Sequence, residues 1–536
     1  MSMQTKRKNK LRFTHVFSDS KNSPYEQVDW DSYGLSKGIA LRKLINRVVK
    51  KYSEVGQEEG YFATIKDRNI FERELIWLLL NQTMVFENDV WLTVGKDGLQ
   101  KVSKNAVVGV DGSGDSRFDC FASMISVLQA KSDVGVNLSK INSSKEGLPT
   151  SGPIGFMQLV NNLTKDFVNG KSFILDIDHP DILEFIKTSN ELIDDKLRAC
   201  VRVNDEFMKS VEEDTSFSLR SRKTGESIET VKARSLFQEL ISEDASNSTF
   251  SLQFDTTINN WQNTPKNGKI SASSPSGEFL ANDFLECPRV AIDLLKFVDE
   301  KKFDFEKYIL AIEMAVTVLD ISVSLGNFST VYMDTQTKKF RPIGVSFTNL
   351  EAIFGHFKIS LNSKAARVLG ASIANLTSAV AYRRSAELAV AAGIGDPLKI
   401  NLPDQRAIVK KHYEKSLELT DEVVDEMKFN VNINDLLFAA NLEWDIALDF
   451  SKKHGFRNCQ LTLLAKEDNF IFDKPEIKKT FKPIDQIKML SRIQPFLTGG
   501  IGLPVYIDNN ESVEKIEELS ISAWKSGLKS ITFCKK

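Results

Sequence analysis

The side chains able to do redox, metal-binding or phosphate chemistry are few and scattered. Five cysteines, Cys120, Cys200, Cys287, Cys459 and Cys534, stand far apart in a chain of 536 residues. Thiols so dispersed make no disulfide framework, and a reducing cytoplasm is the compartment expected. The five histidines, His15, His179, His356, His412 and His454, share no metal-ligand spacing with one another or with the cysteines, so no metal site is expected. His179, inside Asp178-His179-Pro180, reads as a residue at the start of a helix rather than a ligand. The run Gly499-Gly500-Ile501-Gly502 resembles a phosphate-binding loop only superficially.

The elements that would position these groups follow from periodicity. Residues 41–80 turn helical, with Leu44, Ile45, Val48 and Val49 on one face and Phe71, Leu75, Leu78 and Leu79 on another, which predicts a small helical layer. A Gly/Ser/Asp-rich stretch at 109–116 marks a boundary. Beyond it, strands alternate with helices: 173–177 reads as a short buried strand, 182–186 opens a helix, and 241–250 is an exposed loop. Helical patterns cover 288–300, 304–325, 362–393, 403–419, 433–454 and 511–527, while 460–464 and 529–533 read as strands. Strands separated by helices predict an α/β fold with parallel strand sets.

Composition fits that class. Hydrophobic residues make up 42% and charged residues 26%, enough for an ordinary globular core. With 70 basic and 72 acidic side chains the net charge is −2, which argues against nucleic acid or an anionic membrane as partner. Lys6, Arg7, Lys8 and Lys10 form a basic tip read as a solvated tail, and no apolar segment of a secretory signal follows them. The most apolar helical stretch, 308–325, carries Glu313 and Asp320 and reads as a buried core helix.

Several strings carry more than periodicity does. Ser151-Gly152-Pro153-Ile154-Gly155-Phe156-Met157, Asp178-His179-Pro180-Asp181-Ile182-Leu183-Glu184-Phe185-Ile186, Val201-Arg202-Val203-Asn204-Asp205-Glu206-Phe207-Met208 and Gln253-Phe254-Asp255-Thr256-Thr257-Ile258-Asn259 stand in this order. So do Ser23-Pro24-Tyr25 through Trp30 and Gly60-Tyr61-Phe62-Ala63-Thr64 near one end, with Gln494-Pro495-Phe496 and Trp524-Lys525-Ser526-Gly527-Leu528-Lys529 near the other. Together they resemble the vitamin B12-dependent (class II) ribonucleotide reductases. The resemblance implies a ten-stranded α/β barrel of two five-stranded parallel halves, with a finger loop projecting inside and a small helical region before it. The implied division is 1–105 for the tail and helical region, 106–500 for the barrel, and 501–536 for a closing helix and strand.

The same resemblance locates an active site and shows what it lacks. The family fingertip N-P-C-x-E corresponds to Ser274-Pro275-Ser276-Gly277-Glu278, so Ser276 stands at the radical cysteine. A serine hydroxyl lacks the soft, oxidisable character of sulfur and does not carry a thiyl radical. Ser274 replaces a substrate-orienting asparagine, and Glu278 keeps the carboxylate. Cys120 in Asp119-Cys120-Phe121 and Cys287 in Cys287-Pro288-Arg289 match the family's reducing pair as vestiges, with a packing role as the alternative. The phosphate-cradling loop becomes Ala465-Lys466-Glu467-Asp468-Asn469, and the N-S-P-V-W loop becomes Glu87-Asn88-Asp89-Val90-Trp91. Residues 122–133 leave room for at most three short turns where the family has an effector and dimer helix. Gly170-Lys171-Ser172 stands for a longer loop, and Cys534 alone stands where the family has a C-terminal pair.

These losses predict a catalytically inactive pseudoenzyme that serves as a binding or structural module. The alternatives are an active adenosylcobalamin-dependent reductase, which Glu278 and Cys120/Cys287 would support, and a nucleotide or cobalamin sensor without turnover. No cofactor is expected, adenosylcobalamin being the one the resemblance would imply. A protein partner or larger assembly is expected, with no homodimer of the family's kind.

Overall fold

The computed structural model describes residues 10–18, 23–24, 39–146, 152–192, 196–244, 249–299, 302–424, 432–466 and 482–536. Its strands, in chain order, are β1 (Met84–Phe86), β2 (Asn105–Val108), β3 (Asp133–Asn137), β4 (Lys171–Asp176), β5 (Leu197–Val203), β6 (Ser216–Arg220), β7 (Ser227–Lys232), β8 (Thr249–Phe254), β9 (Ala272–Ser273), β10 (Leu280–Ala281), β11 (Leu285–Glu286), β12 (Arg289–Asp293), β13 (Val298–Asp299), β14 (Lys302–Phe303), β15 (Gly344–Thr348), β16 (Val505–Ile507) and β17 (Ser530–Lys535).

Five of them, β2, β3, β4, β5 and β8, lie side by side and parallel, because at least one helix returns the chain between each successive pair. Helices cover them, so β2 is buried at every position rather than at alternate ones. On one edge β11 pairs antiparallel with β2; on the other, β17 runs antiparallel to β8 and parallel to β16. A second sheet, β1-β12-β15, is continued by isolated parallel bridges from Val345 to Thr462 and from Leu464 to Ile501. The α/β expectation with parallel strand sets holds. The ladders fall into separate sheets, and they do not close into one ring among the described residues.

The long helices match their sequence patterns. Ile39–Glu58 and Ile65–Leu80 form the N-terminal layer, the second capped by Thr64, whose hydroxyl accepts from Asp67 N at 3.2 Å. Phe305–Leu325, Lys364–Ala392, Leu402–Val424, Ile433–His454 and Val513–Lys525 follow where expected. Phe305–Leu325 is long and apolar enough to cross a membrane, but 78% of its most apolar window is packed inside the protein.

Three expectations are corrected. Of the expected helix 288–300, residues 289–299 form strand β12, a turn of 3-10 helix (Leu294–Phe297) and β13 instead, and residue 300 lies outside the described residues. An apolar run covered on both faces carries no alternation to distinguish strand from helix. The 109–116 stretch is a strand-to-helix turn rather than a boundary: Gly112 takes φ +90, and Ser113 caps helix Gly114–Gln129 by accepting from Ser116 N at 3.1 Å. Residues 122–133 behave as expected, giving about two turns that pack on their own sheet. Most of them belong to that 16-residue helix, which buries Met124, Val127 and Leu128 on its own sheet and leaves Phe118 79% exposed. The 241–250 stretch is helical to Asp244 and enters β8 at Thr249, and 245–248 lie outside the described residues.

Candidate functional site

The short hairpin β9–β10 carries Ser274, Ser276 and Glu278 on its tip. Ser273 pairs with Leu280, Ser274 N donates to Phe279 O at 2.9 Å, and Gly277 N donates to Ser274 O at 2.9 Å. Gly277 sits at φ +86, a conformation that a side chain would strain. The hairpin passes between the two sheets. Pro275 lies against Gly170, just before β4, so the tip is at the N-terminal ends of the parallel strands and the base is at their C-terminal ends.

Glycines let the backbone come this close. Gly500 N donates to Glu278 O at 2.8 Å, and a Cβ on Gly502 would stand 2.7 Å from Glu278 Oε2. The Gly499-Gly500-Ile501-Gly502 run therefore serves as a seat for the hairpin, not as a phosphate loop. Lys529 fixes this seat: its Nζ donates to Leu497 O, Thr498 O and Gly499 O at 2.9, 2.7 and 3.0 Å. Burial pushes that ammonium down to about 7.

At the centre lies a buried ion cluster. Arg289, fully enclosed at the start of β12, pairs through Nη1 with Glu278 and through Nη2 with Glu87. Its Nε donates to Glu87 Oε1 at 3.0 Å. With its amide oxygen turned toward the guanidinium, Asn105 also accepts from Nε and Nη1 at 3.0 Å each. Burial pushes the Glu87 carboxyl up despite Arg289, since one guanidinium serves two carboxylates in a dry site. Arg289 itself is held charged: burial opposes its charge, but the two carboxylates outweigh that. Among the described residues, Glu87 Oε2 and Glu278 Oε2 have no hydrogen-bond partner.

The thiols are arranged otherwise than expected. Cys287 lies beside this cluster, its N donating to Asn105 O at 3.1 Å and its Sγ accepting from Gln460 Nε2 at 3.8 Å. Cys120 instead sits on helix Gly114–Gln129, in the large apolar core outside the sheet, and shares no apolar cluster with Cys287. The proposed pair is not assembled, and Asn105 occupies the place opposite Cys287. Cys200, on β5, lines a small cavity with Pro275 and Gly277 and so lies closer to the tip than Cys120 does. Burial pushes the Cys120 and Cys287 thiols well up and Cys459 up to about 12, so none is a ready thiolate. Ser276 is half-buried, and Ser274 is buried, its Oγ accepting from Phe279 N at 3.3 Å.

Both acids of the 87–91 loop are neutralised within the chain, Glu87 by Arg289 and Asp89 by Lys101 at 2.6 Å. Of the loop at 465–469 only Ala465 and Lys466 fall within the described residues, and Ser151 and residues 25–30 also lie outside them. Lys171 is buried and donates to Asn161 and Thr164 at 3.0 and 3.2 Å, so the short 170–172 link is a tight packing connection. No group of three or more metal-ligating side chains occurs among the described residues.

Comparisons with known proteins bear on this geometry. The family described as "Ribonucleotide reductase, barrel domain" matches residues 106–465 and 473–534, and that described as "Class II vitamin B12-dependent ribonucleotide reductase" matches 15–82. A vitamin B12-dependent ribonucleotide reductase of Streptomyces avermitilis is 29% identical, over 92% of this chain and 62% of its own length. One of Streptomyces coelicolor is 28% identical over the same shares, and one of Rhodopirellula baltica 27% over 86% and 52%. The chain thus spans less than two thirds of the length of these relatives.

Proposed function

Given that the chain belongs to the ribonucleotide reductase family, we propose that it is a catalytically silent member that works as a binding or structural module. The observation that carries this reading is Arg289. Its guanidinium ties the Glu278 carboxylate to Glu87 inside the protein, at the centre where a substrate hydroxyl would have to be handled. A carboxylate already engaged by a buried guanidinium is a poor general base. Beside it the tip offers the Ser276 hydroxyl where the resemblance calls for a thiol.

In this reading the two sheets are the halves of a ten-stranded barrel, and the hairpin carrying Ser276 is its finger loop. Adenosylcobalamin does not fit these residues. The group would serve to generate a radical on sulfur, and the tip holds no sulfur to receive it. The buried carboxylates beside it are spanned by Arg289. No step is therefore routed through it.

Restoration tests the reading. Ser276→Cys alone, supplied with adenosylcobalamin, a dithiol and ribonucleotides, forms no deoxyribonucleotide, because Arg289 still holds Glu278. Product from that single variant would show an otherwise intact site and overturn the proposal.

A further inference from the structure

The ion cluster at the hairpin tip is one positive charge short. The side chains of Arg289, Glu87 and Glu278 are 1%, 0% and 0% exposed, and the single guanidinium faces both carboxylates. With both acids ionised the cluster holds two anions against one cation, and an uncompensated charge in a dry interior is costly. Among the described residues, the charged groups around it do not supply what is missing. Asp89, on the same loop as Glu87, is neutralised by Lys101 at 2.6 Å. Lys104, half-buried ahead of β2, acts on Glu87 more weakly than Arg289 does, and Asp89 opposes it. Lys529, behind the glycine seat, gives its N–H groups to the carbonyls of Leu497, Thr498 and Gly499. Cys287 and Cys459 are kept as neutral thiols by burial.

Hydrogen bonding shows the same deficit. Glu87 Oε1 accepts from Arg289 Nε at 3.0 Å and Glu278 Oε1 accepts from Nη1, yet among the described residues Glu87 Oε2, Glu278 Oε2 and Gln460 Oε1 have no partner. Glu278 Oε2 and Gln460 Oε1 lie against one turn, 2.7 and 3.2 Å from where a Cβ on Gly502 and on Gly499 would stand. Gln460 spends its amide nitrogen on Cys287 Sγ at 3.8 Å, not on either carboxylate. Orphaned buried acceptors call for a donor. A carboxylic acid O–H is the smallest that meets both deficits, supplying one hydrogen bond and one positive charge.

We propose that this centre binds one proton at neutral pH, shared between the Glu87 and Glu278 carboxyls, and that the proton latches the hairpin tip. With it the cluster is neutral, made of one guanidinium, one carboxylate and one carboxylic acid. Paired buried carboxyls give up their protons one at a time for this reason. Burial raises the Glu87 carboxyl in the same direction. Without the proton both anions compete for Arg289, the group that ties the hairpin to β12. The folded chain thus keeps a proton that the unfolded chain releases above the ordinary glutamate range. Stability contributed here is complete below that range and is lost as pH rises through the raised folded value. The proton belongs to the ion cluster on which the silent reading rests, but it is detected without any turnover, so the two stand or fall separately.

The test is infrared spectroscopy of the full chain at neutral pH, read in the carbonyl band of protonated carboxyl groups. Glu87→Gln loses one such band and so does Glu278→Gln, because either leaves a single carboxylate for the guanidinium. Each variant is isosteric, and either alone decides the assignment. Asp176, Asp283, Glu286 and Glu443, whose carboxyls burial also pushes up, are common to all three proteins and cancel in the differences. As pH is raised the band disappears from the unmodified chain, and over that range its melting temperature falls relative to Glu87→Gln. Spectra in which neither variant loses a band overturn the proton. So does a melting temperature that rises when sodium or potassium replaces choline for the unmodified chain but not for Glu87→Gln, which would make a metal cation the missing charge. A melting temperature that holds level with that of Glu87→Gln while the band disappears overturns the latch.

Discussion

Arg289 and Glu87 are opposite charges placed at two positions 202 residues apart in sequence that meet in a dry interior. Such a pair is weak evidence for stability, but breaking it is costly, since it strands the partner's charge. Arg289→Leu leaves Glu87 and Glu278 facing each other without a cation, and should lower unfolding free energy in urea by about 3–5 kcal/mol. Adding Glu87→Gln to that variant should recover part of the loss; equal losses in both would mean that the ion cluster contributes nothing. Ser276 and Glu278 were legible in the sequence because a whole string frames them. Arg289 was not, because Cys287-Pro288-Arg289 drew attention to its sulfur. The available signal was a base gained in one string and an acid, Glu87, gained in another. Cys120 was misplaced for a related reason: a three-residue match outweighed the helical period of 114–129, which puts that thiol in the helical core.

Helix Phe305–Leu325 is joined to the rest of the fold through Asp320. Its carboxylate accepts from Arg457 Nε at 2.7 Å, Arg341 Nε at 2.6 Å and Asn458 Nδ2 at 3.0 Å, and Tyr61 of the N-terminal layer also donates to it. Burial alone would raise this carboxyl, but the two guanidinium groups reverse that and hold it far below the usual carboxylate range. The folded state therefore binds fewer protons here than the unfolded chain. The stabilisation is complete above the unfolded value, about 3.9, and is lost as pH falls below it. Asp320→Asn should cost about 3–5 kcal/mol at neutral pH and flatten the decline of stability below pH of about 4. A variant with the same acid limb as the parent would contradict this. The carboxylate inside this helix was visible in the sequence, which is why the helix read as core; its partners, distant along the chain, were not. Long amphipathic or apolar helices were read correctly, whereas β12 was read as helix and β15 was not recognised, since short strands buried on both faces show no period.

At the scale of the whole molecule, the α/β class and the order of elements were legible, because helix periods and turn residues are local. How the two sheets meet around the hairpin was not, because that depends on close backbone approach at Gly135, Gly499, Gly500 and Gly502, which sequence shows only as glycines. Assembly belongs to this scale too. Helix Gly114–Gln129 spends Met124, Val127 and Leu128 on its own sheet, and the module reading holds that the chain forms no homodimer of the family's kind. Sedimentation velocity should give a monomer whose coefficient is unchanged by dATP or dTTP. A dimer strengthened by either nucleotide would show that the effector and dimer functions persist.

The account rests on the silence of the centre formed by Ser276, Glu278, Arg289 and Glu87. The measurement that reaches it most directly is deoxyribonucleotide formation by the unmodified chain, with adenosylcobalamin, a dithiol reductant and each of the ribonucleotides. The prediction is no product above a control without protein. Product that accumulates with time and scales with protein concentration would contradict it.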